Sequence, residues 1–351
     1  FPVEELRELL QSLHQKKRYH RLRDGSLLRL DDSLEGLDEL NDTLELSGAK
    51  LKDGHAALPL YRAPTLDWAL SGQNGLRFDR DDAFRRISRS FHAVRDSEYA
   101  PPLSLQKTLR KYQRDGYRWL RTLDGYGIRR IDCLILTHYD NDHIGAAAAV
   151  LEGYAVGEVY MPDYVRDSKL YRSMMTAIEA AQSAGTVVRR LHATDVEPDM
   201  GYGKLWINAT AMEGYEPGKV VGADADNEDT DENNFSLVTA VTFGNIKLIF
   251  GGDAEGERMT EYLPLAEARG FTSCTLFKIP HHGASADWGL LEAIRAWKPR
   301  YCVVCTDSAA SVSWAIVTNM KSVGAGRYFT YDGTVCFSTD GNSATIRTRA
   351  E

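Results

Sequence analysis

The second part of the chain, from residue 128 onward, has the pattern of an α/β (α+β) protein. Short apolar runs recur there, each bounded by Gly, Pro, Asp or Asn, as buried strands usually are. These runs are IDCLILTH, VGEVYMP, KLWINATAM, FSLVTAVTFGNIKLIFGGD, CTLFKIPHHG, YCVVCTD, RYFTYDGTVCFSTDG and ATIRTR. Helix-like segments such as 168–184 and 255–269 lie between them. Residues 128–351 are therefore predicted to form one domain of mixed strands and helices.

The first part of the chain, residues 1–127, is predicted to be mainly helical with one β-hairpin. Apolar residues recur at helical spacing within residues 1–14. A hairpin is expected near residues 19–31, because Asp24 and Gly25 offer a turn with positive φ between two alternating runs. A further amphipathic helix is expected in LQKTLRKYQRDGYRWLRTLDGYG, which follows two consecutive prolines.

Composition and charge limit the function classes. The chain of 351 residues is long enough for two domains, and its net charge of -8 argues against a generally basic surface that coats nucleic acid. Residues 106–130 are basic, whereas the acidic run 223–232 is typical of a solvated loop. No apolar run of about 18 residues occurs, so no membrane segment is expected. The chain starts with Phe1 rather than Met, so its start resembles a fragment edge. No signal-peptide pattern is present, so a cytoplasmic location is expected.

The five cysteines are odd in number and lie apart in apolar segments, which favours reduced thiols. Cys302 and Cys305 are three positions apart in a predicted strand, and such positions face opposite ways. Buried thiols are the preferred interpretation of this pair, and a redox or zinc pair is the alternative.

The segment HYDNDH, from His138 to His143, combines imidazole and carboxylate groups directly after an apolar strand. A tight turn after a strand can direct residues i, i+2, i+4 and i+5 into one pocket, and these groups are ligands of first-row metals. A polar turn with two chance histidines is the alternative. Two further strands end in ligand-type residues, Asp253 in LIFGGD and the pair His281 and His282 in LFKIPHHG. Each alone also fits a surface turn, but three such strand ends in one chain favour a metal site at one edge of a sheet.

These three motifs resemble those of metallo-β-lactamase-fold hydrolases. The forms LTHYDNDHIG, LIFGGDAE and KIPHHGAS are most similar to the branch related to the hydrolase domain of the DNA-uptake competence channel protein. The resemblance implies a metallo-β-lactamase-like αββα sandwich and one or two divalent ions, Zn²⁺ or Mn²⁺. The implied metal ligands are His138, Asp140, Asp142, His143, Asp253 and one of His281 and His282.

The same resemblance implies site-lining and catalytic roles. The step ENNFSLV places Asn233 or Asn234 where other members carry a histidine, and Asp140 replaces an imidazole that many relatives have, so one of two metal positions is weakened. Asp142 is expected to orient a metal-activated water, with His143 beside it as the second catalytic residue. A hydrolase acting on phosphodiester bonds, and hence a nucleic acid as substrate, is the implied function.

The chain departs from that family in two places. Relatives place several strands before the first metal motif, whereas residues 76–127 show no such strand, so the sandwich is predicted to be N-terminally incomplete. Relatives also carry a later step with a histidine, where this chain has SAASVSWAIVTNMKSVG. The resemblance therefore does not extend to the substrate contacts at that place.

The N-terminal part resembles a different family. The hairpin segment and SLQKTLRKYQRDGYRWLRTLDGYG are similar to the accessory region and motor-core entry of bacterial chromatin-remodelling-type (Snf2-like) helicases, where a glutamine like Gln113 reads adenine. A surface helix without a nucleotide role is the alternative. No phosphate-binding loop G-x-x-x-x-G-K-[ST] follows, so no ATPase activity is expected. Since both resemblances stop near Gly127, we hypothesise that the chain joins two truncated genes. The alternative function is a catalytically incomplete remnant whose N-terminal segment binds nucleic acid.

Overall fold

A computed structural model describes residues 5, 8, 9, 12, 17–30, 129–201, 203–221 and 232–349. The described residues fall in two compact units, one that contains residues up to 30 and one that contains residues from 129 onward. The predicted helix after Pro102 and the strand-poor segment 76–127 lie outside the described residues. The domain boundary at residue 127 therefore stays a prediction.

The N-terminal unit contains the predicted hairpin. Strands β1 (Tyr19–Arg21) and β2 (Leu27–Arg29) pair antiparallel. Gly25 has φ 89° at the turn. The Asp24 carboxylate accepts hydrogen bonds from the backbone N–H and the hydroxyl of Ser26, at 2.8 and 2.6 Å. The hairpin prediction is thus confirmed, with the turn residues that the sequence indicated.

The predicted helix at the start of the chain is described at four positions. Glu5, Glu8, Leu9 and Ser12 are helical, and Leu9 is buried as expected. Glu5 accepts a hydrogen bond from the backbone N–H of Arg23 at 2.7 Å. This contact ties the helix to the hairpin within the unit.

A seven-stranded sheet forms the larger half of the second unit. Its strands are β7 (Asp195–Val196), β8 (Lys204–Asn208), β10 (Val238–Phe243), β11 (Ile246–Phe250), β12 (Leu276–Lys278), β13 (Tyr301–Val304) and β14 (Gly326–Phe329). They lie in the order β14-β13-β12-β11-β10-β8-β7. Strands β11 to β14 are parallel, whereas β7, β8, β10 and β11 pair antiparallel. Because β11, β12 and β13 are parallel, the loops at their carboxyl ends share one edge of the sheet.

A second, three-stranded sheet contains β3 (Arg130–Ile135), β4 (Ala155–Pro162) and β6 (Val187–Leu191). All three strands are parallel, in the order β3-β4-β6. Within residues 129–349, β3 pairs with β4 alone and forms the sheet edge. Two small ribbons complete the strands: β5 (Tyr164–Arg166) with β9 (Lys219–Val221), and β15 (Thr334–Thr339) with β16 (Ala344–Arg349).

The helices cover the outer faces of the two sheets. They are α1 (Asn141–Ile144), α2 (Ala147–Gly153), α3 (Lys169–Ser183), α4 (Gly256–Ala268), α5 (Trp288–Trp297) and α6 (Trp314–Ser322). One apolar cluster packs α4, α5 and α6 on the large sheet, and a second packs α2 and α3 on the small sheet. A third lies between the sheets, with Tyr160 and Leu191 against Leu205 and Ile207. These layers confirm the predicted αββα sandwich.

Most predicted elements from residue 128 onward are present. The quoted apolar runs form strands, and the helix-like segments 168–184 and 255–269 correspond to α3 and α4. All five cysteines are free. Cys302 is fully buried and burial raises the pKa of its thiol to about 12, so it is a packed thiol as predicted. Among the described residues, no helix combines the length and apolarity that crossing a bilayer requires.

Candidate metal centre

The first ligand segment leaves β3 in an extended conformation and turns into α1. Tyr139 packs in the core, where its hydroxyl donates to the carbonyl of Pro162 at 2.5 Å. Successive side chains of an extended segment point to opposite faces, so His138 lies on the face away from Tyr139. His138 is fully buried, and its Nδ1 is 3.1 Å from the Thr137 hydroxyl. The short helix α1 then carries Asp142 and His143 toward the same place.

The position of the second candidate ligand, Asp253, depends on two glycines after β11. A Cβ on Gly251 would lie 2.4 Å from Cγ of Pro280, so this approach requires glycine. Gly252 has φ +59°, and a Cβ there would lie 3.0 Å from Cβ of Ser236. The Asp253 N–H donates to the Ser236 hydroxyl at 3.2 Å, and Asp253 is 2% exposed. The two glycines therefore allow the Asp253 carboxylate to be buried at the end of β11.

The third ligand segment follows β12 and is strained. His281 and His282 have φ 46° and 54°, a left-handed conformation that non-glycine residues seldom adopt. Such strain persists only where surrounding structure enforces it, and it is common at functional sites. The Nδ1 of His282 lies 2.8 Å from the Cys305 carbonyl, which fixes the ring. Its Nε2 consequently faces the other two ligand segments.

Four ligand atoms from the three segments converge. The Nε2 of His143 lies 3.0 Å from Asp253 Oδ2, and the Nε2 of His282 lies 3.1 Å from Asp142 Oδ2. Two further separations are 3.4 Å, from His282 Nε2 to Asp253 Oδ2, and 4.0 Å, from His143 Nε2 to Asp142 Oδ2. A tetrahedral zinc with ligands at about 2.1 Å has ligand atoms about 3.4 Å apart. The four separations, from 3.0 to 4.0 Å, bracket that spacing, and Asp142, His143 and His282 also form one compact group of ligand atoms.

The hydrogen bonding of His282 requires a proton or a metal ion between its Nε2 and the facing carboxylates. A carbonyl oxygen only accepts hydrogen bonds, so Nδ1 carries the proton that is shared with Cys305. In the neutral ring, Nε2 then presents a lone pair toward the carboxylates of Asp142 and Asp253. Lone pair and carboxylates repel each other unless a proton or a metal ion lies between them. A histidine that donates its other N–H to a carbonyl is also the usual arrangement of a metal ligand.

The protonation states of the cluster favour metal binding. Burial raises the pKa of Asp142, but when His282 Nε2 carries a proton, its hydrogen bond and the nearby histidine charges outweigh this and lower the pKa to about 2. Burial is likewise outweighed at Asp253, whose pKa is lowered by His143 and by Lys278, with Nζ at 3.6 Å. Burial lowers the pKa of His138 to about 3. Two carboxylates are thus ionised and His138 is neutral at pH 7, as metal ligands must be.

His138 lies beside this cluster. Its ring is centred 4.1 Å from that of His143, and its buried Nε2 has no hydrogen-bond partner. Ligand atoms lie together in two overlapping groups, His138 with His143 and Asp253, and Asp142 with His143 and His282. Five of the predicted ligands are therefore brought together.

The other predicted site residues point elsewhere. His281 Nδ1 lies 2.6 Å from Glu255 Oε1, so His282 and not His281 faces the cluster. Asn234 Oδ1 accepts the backbone N–H groups of Glu255 and Arg258, at 3.1 and 3.3 Å. Asn233 donates to Glu255 at 3.2 Å. Both asparagines thus hold the start of α4.

Asp140 forms an ion pair that the sequence did not reveal. Its Oδ1 accepts a hydrogen bond from the Arg166 guanidinium at 2.8 Å, and Arg166 also pairs with Glu232. Glu232 ends the acidic run 223–232, and it is 6% exposed. The expectation of a solvated loop is therefore wrong for this residue, because Arg166 neutralises its charge. Sequence spacing offers no signal for such a pair, since 26 residues separate Arg166 from Asp140.

Comparison with known proteins finds two family matches in the chain. Residues 109–231 match the family model described as "Metallo-beta-lactamase superfamily", and residues 1–102 match "Bacterial SNF2 helicase associated". Each match covers less than half of the chain.

Individual relatives and solved structures share low sequence identity with this chain. "ComE operon protein 3" of Bacillus subtilis (strain 168) is 26% identical over 183 residues, which are 52% of this chain and 21% of that protein. The chain thus spans about a fifth of the length of this curated relative. Tm1679, a metal-dependent hydrolase of the beta-lactamase superfamily, is similar in structure at TM-score 0.37 and 12% identity, over 62% of this chain and 84% of that chain. The E377D mutant of the CmlA beta-hydroxylase is similar at TM-score 0.36 and 16% identity, over 57% and 43%.

Proposed function

We propose that residues 129–349 form a metal-dependent hydrolase that uses a metal-activated water on phosphodiester bonds. The observation that carries this proposal is His282, whose Nε2 faces the Asp142 and Asp253 carboxylates at 3.1 and 3.4 Å while Nδ1 donates to a carbonyl. The resemblance to the competence-related branch supports a phosphodiester. Nucleic acid is then the substrate class.

The four residues of the cluster have separate roles in this proposal. Asp142, His143, Asp253 and His282 would hold a Zn²⁺ or Mn²⁺ ion, since two imidazoles and two carboxylates suit either metal. A bound divalent ion lowers the pKa of its water from about 15.7 to about 7 and polarises the bond that is attacked. Asp253 is 3% exposed at its side chain and serves the ion, whereas Asp142 is 23% exposed and can also reach solvent. Asp142 is therefore assigned the orientation of the attacking water.

The hydrolase assay separates this proposal from its alternatives. Protein stripped of metal and reloaded with Zn²⁺ or Mn²⁺ is given bis(4-nitrophenyl) phosphate, a diester, and 4-nitrophenyl phosphate, a monoester. We expect metal-dependent cleavage of the diester, loss of it in Asp142→Asn, and no change in Asp167→Asn, whose side chain is 65% exposed and pairs with Arg172. A metal-loaded parent that leaves the diester intact would contradict the proposal.

A second candidate function rests on the N-terminal family match. Residues 1–102 match a helicase associated region, which favours nucleic acid as a partner even if the hydrolase site is incomplete. Binding of labelled single-stranded and duplex DNA to the full chain, followed by fluorescence anisotropy, tests this candidate. Affinity through phosphate contacts falls steeply as salt rises. No binding at low salt would exclude it. We also propose a cytoplasmic location, where the five free cysteines remain thiols.

A further inference from the structure

Two tryptophans of the second unit are exposed to solvent. Trp288 is 68% exposed and Trp314 is 79% exposed. Tryptophan is highly buried on average, and exposed apolar groups that lie together often mark an interaction surface. Trp288 is the first residue of α5, and Trp314 is the first residue of α6. The two exposed rings therefore occupy the same position in two neighbouring helices.

The sheet topology places both tryptophans at the edge that carries the metal centre. Strands β12, β13 and β14 are parallel, and α5 and α6 connect them in that order. Both helices therefore begin at the carboxyl ends of the strands, where Asp253 and His282 also lie. Side chains of an α-helix tilt toward its amino terminus. A side chain at the first helical position consequently extends toward this edge.

A hydrogen bond ties Trp314 to the third ligand segment. The N–H of Ser313 donates to the Gly283 carbonyl at 2.7 Å. Gly283 directly follows His282, and Trp314 directly follows Ser313. The backbone of Trp314 is thus separated from that of a proposed metal ligand by two peptide steps and one hydrogen bond.

Trp288 lies near the same segment. Oγ of Ser285 is 3.1 Å from Nδ1 of His281, so Ser285 packs against the third ligand segment. Three Cα–Cα steps of about 3.8 Å limit the separation of Ser285 and Trp288 to about 11 Å. The guanidinium of Arg295, an exposed residue, lies 5.7 Å from the centre of the Trp288 ring. A positive charge therefore accompanies one of the two rings.

We propose that Trp288 and Trp314 form a stacking surface for the unpaired bases of a single-stranded nucleic acid that the metal centre cleaves. This inference rests on the proposed function and deepens it, since it specifies the form of the substrate. Proteins bind single strands by stacking successive bases on aromatic side chains, and each stacked base contributes about 5- to 150-fold in affinity. Bases inside a duplex are paired and stacked on each other, so their faces are not available to these rings.

The charges of this edge favour stacking over phosphate pairing. The loops that precede α5 and α6, residues 280–287 and 305–313, contain Asp287 and Asp307 and no lysine or arginine. These loops by themselves do not attract phosphate groups. A strand would instead be held by its bases at the two rings, by Arg295 beside one of them, and by one phosphate at the metal centre.

Cleavage of single strands by ring variants tests this inference. The metal-loaded parent, Trp288→Ala and Trp314→Ala are given an unpaired DNA strand, an RNA strand of the same sequence, the DNA duplex and bis(4-nitrophenyl) phosphate. For the strand that the parent cleaves best, we expect KM to rise by about 5- to 150-fold in each alanine variant, as for loss of one stacked base. The kcat, the cleavage of the duplex and that of the small diester should change little.

Two further variants serve as controls. Trp314→Phe keeps an aromatic ring and should retain most of the affinity for the strand. Leu265→Ala removes an exposed apolar side chain near the carboxyl end of α4, away from the metal centre, and should leave every KM unchanged. Circular dichroism checks that each variant is folded.

The outcomes separate this inference from the proposed function. Unchanged KM values for both strands in the two alanine variants would overturn the inference and leave the proposed function intact. Equal losses on the strand and on the small diester would also overturn it, because they would indicate damage to the metal centre. Self-association of the parent that the alanine variants lose, seen by light scattering without a change in KM, would show that the tryptophans join two copies of the chain. A metal-loaded parent that cleaves no diester would refute the proposed function and the inference with it.

Discussion

The Nε2 of His282 lies 3.1 Å from Oδ2 of Asp142, although 140 residues separate them along the chain. Asp142 is carried by α1, which follows β3 of the three-stranded sheet, whereas His282 follows β12 of the seven-stranded sheet. The centre therefore forms only when the two sheets of the sandwich are packed together. Metal binding consequently reports on the folding of the whole second unit.

Substitution of His281 and of His282 is expected to have very different effects on metal affinity. His282 faces two carboxylates, so His282→Asn should weaken metal binding by more than about 100-fold, the upper range for loss of a residue that merely supports a ligand. His281 pairs with Glu255 at 2.6 Å, so His281→Asn should leave metal affinity within a few-fold of the parent. Isothermal titration of the metal-stripped proteins measures both. Equal losses in the two variants would contradict the assignment of His282.

Removal of metal is expected to lower stability. An ion that binds only the folded state, at a free concentration of 100 times its dissociation constant, adds about 2.7 kcal/mol to the free energy of unfolding. The melting temperature should therefore fall when a chelator is added and recover with Zn²⁺ or Mn²⁺. Asp142→Asn provides the control, since its melting temperature should not respond to the metal. A parent whose melting temperature is also insensitive would count against a bound ion.

Gly252 is expected to be essential for the placement of Asp253. Gly252→Ala places a Cβ 3.0 Å from Ser236 and 3.1 Å from Thr137 in a left-handed backbone conformation. Strain of the left-handed conformation costs about 1–2 kcal/mol, and overpacking adds about 1–3 kcal/mol. Gly218→Ala has the same strain, at φ +72°, with nothing within 4 Å. Urea unfolding should show a larger loss for Gly252→Ala, and equal losses would refute the packing argument.

Arg258 is expected to hold α4 against the sheet. It is fully buried, and its guanidinium donates to the Ser236 carbonyl at 3.2 Å, to Glu261 at 2.7 Å and to the Asn208 side chain at 2.6 Å. Arg258→Met removes these hydrogen bonds and leaves the Glu261 carboxylate without its cation, which should lower the free energy of unfolding by about 3–5 kcal/mol. The exposed Arg172→Met should change it by less than about 0.5 kcal/mol. Chemical denaturation of both variants checks the difference.

Short-range patterns predicted the mixed strands and helices, because apolar runs bounded by turn residues identify strands. Ligand-type residues at the ends of three such strands predicted a metal site at one sheet edge. The sandwich itself and the ligands His138, Asp142, His143 and Asp253 were implied by the family resemblance that these motifs carry. The hairpin was equally accessible, because Asp24 and Gly25 form its turn.

The remaining features depend on contacts that no local pattern encodes. The choice between His281 and His282 depends on the Cys305 carbonyl, 23 residues further along the chain from His282. The pairing of Asp140 with Arg166 and Glu232 unites three separate segments. Composition even pointed the wrong way for Glu232, since an acidic run normally indicates solvent. Side-chain partners of this kind become visible only in three dimensions.

The position of the metal ion tests the central claim most directly. Crystals of the full chain grown with Zn²⁺ would be measured at the zinc absorption edge, where anomalous scattering locates the ion. The account predicts a peak within about 2.0–2.3 Å of His143 Nε2, His282 Nε2 and the carboxylates of Asp142 and Asp253. A zinc peak elsewhere, such as at Cys302 and Cys305, with none between these four side chains would contradict it.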